Sequence, residues 1–446
     1  MTKKIFKTKN VLAIAICLAG ITIFSGCKKE LPFVGVTSIS DVPTTATAGT
    51  PLTLKGTVNP DNATNKKIVW SIVNTGLTEA TLTDGNILNA TTLGTVVVQA
   101  SITNGRAKGS DYIHHFPIIV NATPFSGDGK SDNPYLITNA AQLAQLAILI
   151  NSGVAPYNGA DVHYKQTANI SLSDNWTPIA IGLRRFFGIY NGSGFFISGL
   201  TISGSSEFQG LFGYVGFGGE VRNIALTNVK IESSNSRVGG VAGRNNGKIE
   251  FCYVSGSEGI NGKDDVGGVV GRNDGTVENC YATCNVTGNN YVGGVVGGNA
   301  ISSTSVNKCY ATGIIIGADR VGGVIGNNGI NGNVSNCVAL NPSVQRAGMS
   351  TETNFGRVAG IGMATNSAAY SDMSAPYGIS IVNDANGKDG LGIDKETAKT
   401  RNTYESRGWA FGTSDAAPWR WGLSTSYKLP TLYWQSVAPS LPGHLN

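Results

Sequence analysis

Charged side chains are scarce in this sequence, at 14% of its 446 residues. Long coiled coils and Leu-rich helical bundles need dense surface charge and strong helix formers, so the composition argues against both. Glycine supplies 60 residues without a strict three-residue period, which excludes collagen. Hydrophobic residues make up 41% of the chain, which is enough for packed cores and argues against wholesale disorder.

Acidic residues are missing from the first 26 positions, which hold four lysines. Of the 33 basic residues in the whole chain, 29 therefore lie beyond that segment, against 28 acidic residues, a net charge of +1. A balance this close to neutral leaves no electrostatic footprint for nucleic acid. We expect no nucleic-acid partner.

Several enzyme motifs are also missing. The sequence contains no HExxH zinc motif and no GxSxG nucleophile elbow, and it has only four histidines. Gly-rich segments such as GFGGEV lack the Lys-Ser/Thr pair that a phosphate-binding loop requires. We therefore expect no cofactor, no metal centre and no catalytic residues of these classes.

The N-terminus has the pattern of an export signal. Lysines between Lys3 and Lys9 precede an apolar run from Val11 to Phe24, which at fourteen residues is too short to span a bilayer. This predicts a signal peptide over residues 1–26. The sequence Phe-Ser-Gly-Cys ending at Cys27 resembles a bacterial lipobox, and this resemblance implies lipid attachment to Cys27. It implies an outer-membrane lipoprotein facing the cell surface, with a periplasm-facing lipoprotein or an ordinary secretory signal as alternatives.

Residues 31–122 alternate short apolar strands with turn signals, as in the segment around Trp70. Asp84-Gly85 and Asn104-Gly105 have the composition of hairpin turns. The order of these segments is similar to that of bacterial Ig-like domains. The similarity implies a small β-sandwich that acts as a spacer.

A repeat of 26–29 residues is the strongest pattern in the chain. Weaker copies of its VGGVVG core begin at Phe208 and Val358. The four clear copies begin at Val238, Val266, Val292 and Val321. Each is followed by an asparagine in a polar segment, at Asn245, Asn273, Asn299 and Asn328, and then by a strand reaching Cys252, Cys280, Cys309 or Cys337.

One repeat of this length cannot bury its own valine and cysteine side chains. Stacked in parallel at about 4.8 Å, the repeats place like residues over like and bury them together. We predict a parallel β-helix over residues 208–370, right-handed by the crossover preference of parallel strands. A propeller, which needs blades of about forty residues, is the second architecture. The cysteines recur at the repeat spacing and Cys284 makes their number odd, so we predict that they stack as buried, reduced thiols. A zinc site is the alternative, but it would need CxxC pairs, which are missing.

The ends of a β-helix expose unpaired strand edges and need covers. Within a lead-in over residues 123–207, residues 139–151 predict a helix with Asn139 as N-cap and one apolar face. Residues 371–446 hold four of the six tryptophans and predict an aromatic C-terminal cap.

These repeats resemble those of the GLUG-motif proteins, through GGVVG, NCYATC and KCYATG. The lead-in NPYLITNAAQLAQLA and the ending around WRWG resemble the flanks of such repeats. Together with the lipobox and the Ig-like segment, the chain is similar to Bacteroides-type surface lipoproteins described as adhesins. The resemblance implies an all-β chain with a capped right-handed β-helix, and it leaves the ligand open.

Two pairs of residues are candidates for ligand binding. Arg244 and Arg272 occupy the same position in successive repeats, where an anionic partner would relieve their repulsion. The alternative is that the equivalent row of Glu250 and Glu278 screens them. A second pair, Trp419 and Trp421, would form a platform for a sugar ring if exposed, and part of the cap if buried.

The alternative to recognition is catalysis on polysaccharide, which needs clustered carboxylates on adjacent repeats. The acids available are Asp264, Asp265, Asp274 and Asp319. Asn290 interrupts their row, so the sequence favours a non-catalytic function. We predict an exported, lipid-anchored, adhesin-like protein that recognises a glycan or a host or bacterial surface protein. A polysaccharide lyase or glycosidase, and a structural envelope or fimbria-associated component, are the alternatives.

Overall fold

The computed structural model describes residues 32–299, 304–329 and 332–446. The chain divides between Ala122 and Thr123 into two compact units, each with its own buried core. The predicted signal peptide over 1–26 and Cys27 lie outside the described residues.

The N-terminal unit is built from short strands around a core that includes Trp70, Leu88 and Val98. A four-stranded sheet contains Thr45–Thr47, Ser110–Asn121, Gly94–Ala107 and Val69–Asn74, in that order. A three-stranded sheet contains Leu52–Thr53, Ile87–Asn89 and Thr81–Thr83, and Ser38–Ser40 pairs with Thr57–Asn59. The unit is all-β, as predicted, while its assignment as Ig-like stays a prediction.

One of the two predicted hairpin turns is confirmed. Asp84 and Gly85 both have positive φ angles and join Thr81–Thr83 to Ile87–Asn89. The prediction for Asn104-Gly105 is wrong, because both residues lie inside the strand Gly94–Ala107, at a register irregularity. The side chain of Asn104 accepts a hydrogen bond from the backbone N–H of Gly109. Asn104 therefore stabilises, from the irregular part of the strand, the turn in which Ala107 pairs with Ser110.

The second unit is a parallel β-solenoid of about eight coils, a coil being one complete turn of the chain. Parallel sheets run along it, and each coil adds one strand to each sheet in register with the coil before it. This confirms a parallel β-helix, while its right-handedness stays a prediction. The bounds 208–370 were too narrow, because residues 123–207, predicted as a lead-in, already contribute strands from Tyr135 onward and the last strand ends at Ile393. Sheet 1 contains Tyr135–Ile137, His163–Gln166, Ile189–Asn191, Glu220–Arg222, Lys248–Glu250, Thr276–Glu278, Ser305–Asn307 and Asn333–Ser335. Sheet 2 contains Ile170–Ser171, Phe196–Ser198, Ala225–Thr227, Tyr253–Val254, Tyr281–Ala282, Tyr310–Ala311, Val338–Ala339, Ala368–Tyr370 and Leu391–Ile393.

Of the three remaining sheets, sheets 4 and 5 carry the VGGVVG core, and sheet 3 precedes them in each repeat. Sheet 3 contains Thr201–Gly204, Lys230–Ser233, Gly259–Asn261, Val286–Thr287, Ile315–Gly317 and Val344–Arg346. Sheet 4 contains Val238–Gly239, Asp264–Gly267, Asn290–Gly293, Asp319–Gly322 and Phe355–Gly356. Sheet 5 contains Phe212–Val215, Ala242–Asn245, Val270–Asn273, Val296–Asn299, Ile325–Asn328 and Ala359–Ile361.

The corner between sheets 4 and 5 explains the paired glycines. A Cβ atom added to Gly268 would lie 2.2 Å from the backbone oxygen of Gly294 in the next coil, and one added to Gly267 would lie 2.1 Å from the backbone oxygen of Val270. No side chain fits at such separations, so glycine is required where neighbouring coils approach this closely.

Identical side chains stack along the interior. Asn245 donates from Nδ2 to Oδ1 of Asn273 (2.9 Å), Asn273 to Asn299 (3.0 Å), and Asn299 to Asn328 (3.1 Å). All four amides are buried, so each interior hydrogen bond satisfies groups that would otherwise lack a partner. The repeated valines are also fully buried, at Val241, Val269, Val295 and Val324.

The cysteines are buried free thiols, as predicted, at Cys252, Cys280, Cys284, Cys309 and Cys337. Each of the four repeated thiols lies within 3.2–3.3 Å of a backbone oxygen two residues earlier in the chain. Burial raises the pKa of the Cys284 thiol to about 12, and burial likewise raises that of Cys280. These thiols pack as small hydrophobic groups.

A helix packs onto the first coils of the solenoid. Helix α1, Ala140–Ser152, begins at Asn139, whose side chain accepts a hydrogen bond from the Gln142 N–H, and it ends at Gly153. Its buried face contains the apolar residues Leu143, Leu146, Ala147 and Ile150. Two short helices, Lys395–Ala398 and Arg401–Glu405, a 3-10 helix, Gly443–Leu445, and an antiparallel sheet of Phe411–Ser414, Ala417–Arg420 and Thr431–Leu432 follow the last coils.

The structure corrects the expectation that the aromatic C-terminal segment closes the end of the solenoid. Trp419 donates from Nε1 to Oδ1 of Asn279 (2.9 Å), and Trp409 donates from Nε1 to the backbone oxygen of Asn336 (2.8 Å). These partners lie two coils apart, so the segment runs along the flank of sheet 2.

A stack of tyrosines on sheet 2 explains this position. The rings of Tyr253, Tyr281 and Tyr310 stack at 4.5 Å centroid separation, and Tyr281 and Tyr310 both contact Trp419. Successive residues of a strand point to opposite faces, so these rings face away from the interior cysteines. Without the C-terminal segment, an aromatic strip spanning three coils would meet water.

A different part of the C-terminal region closes the last coil. The backbone oxygen of Lys388 accepts hydrogen bonds from the N–H groups of Val358 and Ala359, on the edge of the final strands. Arg357 is buried and donates from Nε to the backbone oxygen of Asp389 (3.1 Å). The unpaired edge is therefore covered by backbone contacts from this loop.

The thiol stack predicts strong protection from alkylation. We expect iodoacetamide to modify Cys252, Cys280, Cys309 and Cys337 at least ~100-fold more slowly in the folded protein than in guanidinium chloride, because the buried sulfur atoms become accessible to the reagent only on unfolding. Peptide mass spectrometry of timed samples measures each site. Rapid modification of the folded protein at any of these positions would contradict the buried stack.

Candidate functional site

The outer surface of sheets 4 and 5 carries two rows of charged and aromatic residues, which we call the arginine–aromatic face. The first row lies on sheet 5, where register pairs Tyr214, Arg244, Arg272, Gly298 and Asn327 in successive coils. The second row, which we call the corner row, lies at the start of the sheet 4 strands or directly before them, and it contains Phe208, Arg237, Asp265, Tyr291 and Arg320.

Every residue of the corner row has a positive φ angle, between 52° and 66°. Non-glycine residues adopt this left-handed conformation at a cost of about 1 kcal/mol or more each. Asparagine and glycine tolerate it far better than phenylalanine, tyrosine or arginine. The side chains at these corners are therefore not the ones that backbone geometry alone would favour, which makes the row a candidate site.

The two predicted arginines do lie side by side. Arg244 donates from Nε to Oδ2 of Asp274 (2.5 Å), and Nε of Arg272 lies 3.6 Å from Oδ1 of the same carboxylate. The Asp274 side chain is 3% exposed, whereas those of Arg244 and Arg272 are 28% and 31% exposed. The buried carboxylate of Asp274 therefore compensates the positive charge of both arginines, while their guanidinium groups remain partly exposed to solvent.

The alternative that Glu250 and Glu278 screen the arginines is wrong. These two glutamates stack in register on sheet 1, but they pair with lysines. Nζ of Lys248 lies 2.6 Å from Oε2 of Glu250, and Nζ of Lys308 lies 3.9 Å from Oε1 of Glu278. Each sheet thus balances its own row of like charges. The argument for an anionic ligand weakens accordingly, because the arginine row is already compensated.

Aromatic rings lie beneath several guanidinium groups of the face. Arg244 lies 4.8 Å from the ring centre of Tyr214, Arg237 lies 5.2 Å from that of Phe208, and Arg320 lies 5.0 Å from that of Tyr291. Each contact contributes about 0.5–1 kcal/mol and restricts a side chain that would otherwise be flexible. The face therefore presents hydrogen-bond donors that are already positioned.

Two acids of the predicted row are engaged by neighbouring residues. Asp264, Asn290 and Asp319 are in register, as the sequence indicated. Oδ1 of Asp264 accepts a hydrogen bond from Nδ2 of Asn290 (2.7 Å), and Asp319 pairs with Arg320. These carboxylates hold adjacent coils together.

Asp265 behaves differently from the other acids. Its side chain is 13% exposed, and burial is the main cause that raises its pKa from 3.8 to about 6, partly offset by Arg272 and Arg237. It lines a cavity of about 170 Å³ with Arg272, Tyr291 and Asn327. The sequence did not distinguish Asp265 from its neighbours, since only burial separates them.

The aromatic candidates are not a ligand platform. Trp419 is fully buried against Trp409, at 4.3 Å between ring centres, so the interpretation of this pair as an exposed platform is wrong for Trp419. Trp421 is half-buried and packs against Tyr404 (5.8 Å) and Phe411 (6.0 Å). Both tryptophans belong to the C-terminal segment that covers the tyrosine stack, and both pack inside it.

Two further features of the described part of the chain bear on function. Among the described residues, no group of three His, Cys, Asp or Glu side chains could hold a metal ion. No helix in the same ranges is both long and apolar enough to cross a membrane. Cys27, the predicted lipid attachment site, lies outside these residues.

Comparison with known proteins supports the repeat assignment. The family model of the GLUG motif matches residues 265–287. A protein of Evansella cellulosilytica, provisionally named a Gly-rich membrane protein, is 38% identical over 192 residues, which cover 40% of this chain and 21% of that protein. Halomucin of Haloquadratum walsbyi is 30% identical over 189 residues, covering 40% of this chain and 2% of halomucin. The chain therefore spans only a small part of either relative.

A solved structure shares the fold. The crystal structure of a Bacteroides ovatus protein, provisionally named an immunoglobulin A1 protease, superposes with a TM-score of 0.50 at 18% identity. The match covers 69% of this chain and 95% of that one. At this identity the likeness shows the fold alone.

The raised pKa of Asp265 predicts a pH-dependent stability difference. A carboxyl group with a folded pKa near 6 and an unfolded pKa of 3.8 binds its proton more tightly when folded, so it costs stability as pH rises through this window. We expect Asp265→Asn to match the wild type in stability near pH 4 and to exceed it by up to about 3 kcal/mol above pH 6. Urea unfolding at pH 4, 5, 6 and 7 measures this difference, and a variant less stable than wild type at pH 7 would contradict it.

Proposed function

We propose that this protein is a lipid-anchored surface protein that recognises glycan, without chemical conversion, through the arginine–aromatic face. The observation that carries the proposal is the double row on sheets 4 and 5, in which partly exposed arginines are held by Asp274 and by the rings of Tyr214, Phe208 and Tyr291. Phe208 and Tyr214 are buried beneath the guanidinium groups, so these rings fix donors that can bind sugar hydroxyl groups.

The spacing of the face supports an extended ligand. Successive coils lie about 4.8 Å apart, so Arg244 and Arg272 place donors side by side along the solenoid axis. Charge compensation within the face favours hydroxyl groups over a strongly anionic partner, because each guanidinium group already has a counter-charge. A polymeric glycan therefore suits the surface better than a compact anion does.

A surface location is part of the same proposal. The predicted signal peptide over 1–26 and lipobox cysteine Cys27 support export and anchoring, with the outer membrane as the expected site. Similarity to a protein named as a Gly-rich membrane protein is in keeping with this location. The N-terminal unit would then act as a spacer between membrane and solenoid.

The test of recognition is binding of the purified protein to a glycan array. We expect binding to one class of glycan, weakened at least ~10-fold in the triple variant Arg244→Gln/Arg272→Gln/Asp274→Asn, which removes both guanidinium groups without leaving Asp274 as an unpaired buried charge. The control is Lys230→Gln/Glu232→Gln, which removes an ion pair from sheet 3.

Three outcomes would reject this proposal. Binding that survives the triple variant would place recognition elsewhere. No binding to any glycan would favour a protein ligand or a structural envelope component. Release of new reducing ends from the bound polysaccharide would show that the protein is a polysaccharide-active enzyme.

The anchoring proposal has its own test. We expect Cys27→Ser to abolish labelling by radioactive palmitate and to move the protein from the membrane fraction to the soluble fraction, because the acylated thiol is lost. The matched control is Cys284→Ser, which removes a buried thiol of the solenoid and should leave labelling unchanged. Persistent labelling of the Cys27→Ser variant would contradict anchoring at this residue.

A further inference from the structure

The arginine row of sheet 5 is interrupted at one coil. Gly298 pairs in register with Arg272 on one side and with Asn327 on the other, so a side chain is missing where the neighbouring coils carry one. A Cβ atom added to Gly298 would lie 3.0 Å from Oδ1 of Asp265. The missing side chain leaves the 170 Å³ cavity, and Tyr291 forms another part of its lining.

The carboxylate of Asp265 has an unused capacity to accept hydrogen bonds. Its ion-pair partner is Arg272, with 3.8 Å between Nη1 and Oδ2, which is beyond hydrogen-bond distance. No described residue donates a hydrogen bond to either oxygen of Asp265. Asp264 accepts a hydrogen bond of 2.7 Å at Oδ1, and Asp274 accepts one at Oδ2, although Oδ1 of Asp274 has no hydrogen-bond partner. A carboxylate that is mostly buried and lacks a donor gains from a ligand that supplies one.

The surrounding charges decide what kind of donor fits. The guanidinium groups of Arg272 and Arg237 both act on Asp265, which disfavours a cationic ligand such as an amine. An anionic ligand would be repelled by Asp265 itself. A neutral hydroxyl group satisfies both constraints, because it donates to Asp265 and accepts from Arg272 or from the amide of Asn327.

The cavity is also small. At about 170 Å³ it is below the roughly 300–1,000 Å³ of pockets for drug-sized ligands, so it suits a single ring. We infer that this cavity is a subsite for one neutral sugar residue, whose adjacent hydroxyl groups bind Asp265 and Arg272. This inference rests on the proposed glycan recognition and identifies where on the face a single sugar unit is bound.

The test uses methyl β-D-glucopyranoside, methyl β-D-galactopyranoside and methyl α-D-mannopyranoside as probes, with glucosamine and glucuronate as charged comparisons. Dissociation constants for the full protein come from ligand-observed NMR titrations at pH 7.5. We expect at least one neutral glycoside to bind more tightly than both charged sugars. Gly298→Asn, which fills the cavity, and Asp265→Asn, which removes the acceptor, should each weaken that binding ~10-fold or more.

The control variant is Gly204→Asn. It makes the same substitution on sheet 3, where an added Cβ meets no atom within 4 Å, and it should bind the glycosides as the wild type does. The groups that act electrostatically on Asp265 are Arg272, Arg237, Asp264 and Asp274. Because the ionised carboxylate is the better acceptor, binding should fall about 10-fold between pH 7.5 and pH 5.

The subsite is rejected if the wild type binds none of the neutral glycosides, if it prefers a charged sugar, or if folded Gly298→Asn binds as tightly as wild type. These outcomes are separate from failure of the proposed function. Array binding that depends on Arg244 and Arg272, without binding of the neutral glycosides, would overturn only the subsite. Loss of both would overturn the subsite and the proposed function together.

Discussion

The in-register stacking of parallel strands is the constraint on which the rest of this structure depends. Backbone hydrogen bonds join each coil to the next, so a residue can lie only beside its counterpart one repeat away. The buried amides from Asn245 to Asn328 show the consequence most clearly, because each donates to the next through the whole repeat region. A shift of one residue would break this series and turn the interior valines outward.

In-register stacking also places like charges and apolar rings next to each other on the outer surface, and neighbouring residues compensate or cover them. Stacked arginines repel each other, and buried Asp274 lies between Arg244 and Arg272 to compensate them. Stacked tyrosines form an apolar strip, and Trp419 covers Tyr281 and Tyr310. Asp265 has an ion-pair partner in Arg272 at 3.8 Å but accepts no hydrogen bond from the described residues, and its carboxylate faces a cavity. The cavity lies where Gly298 stands in register with Arg272 and Asn327, so the missing side chain in the row leaves room beside Asp265.

Much of the fold could be predicted from sequence because the repeat is local. The spacing of the cysteines and of Val241 and its counterparts indicated stacking, and burial confirmed it. The path of the C-terminal segment could not be predicted, since Trp419 meets Asn279 across 140 residues and no periodicity links them. The counter-charge of Arg244 was misassigned to glutamate because a charge row in sequence does not reveal which sheet it faces. The interruption of the arginine row at Gly298 became apparent from the strand register, and its meaning required the buried carboxylate of Asp265.

The central claim is that the outer surface of sheets 4 and 5 binds glycan. A crystal structure of the protein with an oligosaccharide selected on the array tests it most directly. The account predicts sugar rings along the rows of Arg272 and Tyr291, with hydroxyl groups hydrogen-bonded to Asp265. Density for the oligosaccharide only on the tyrosine stack, on the C-terminal segment or on the N-terminal unit would contradict it.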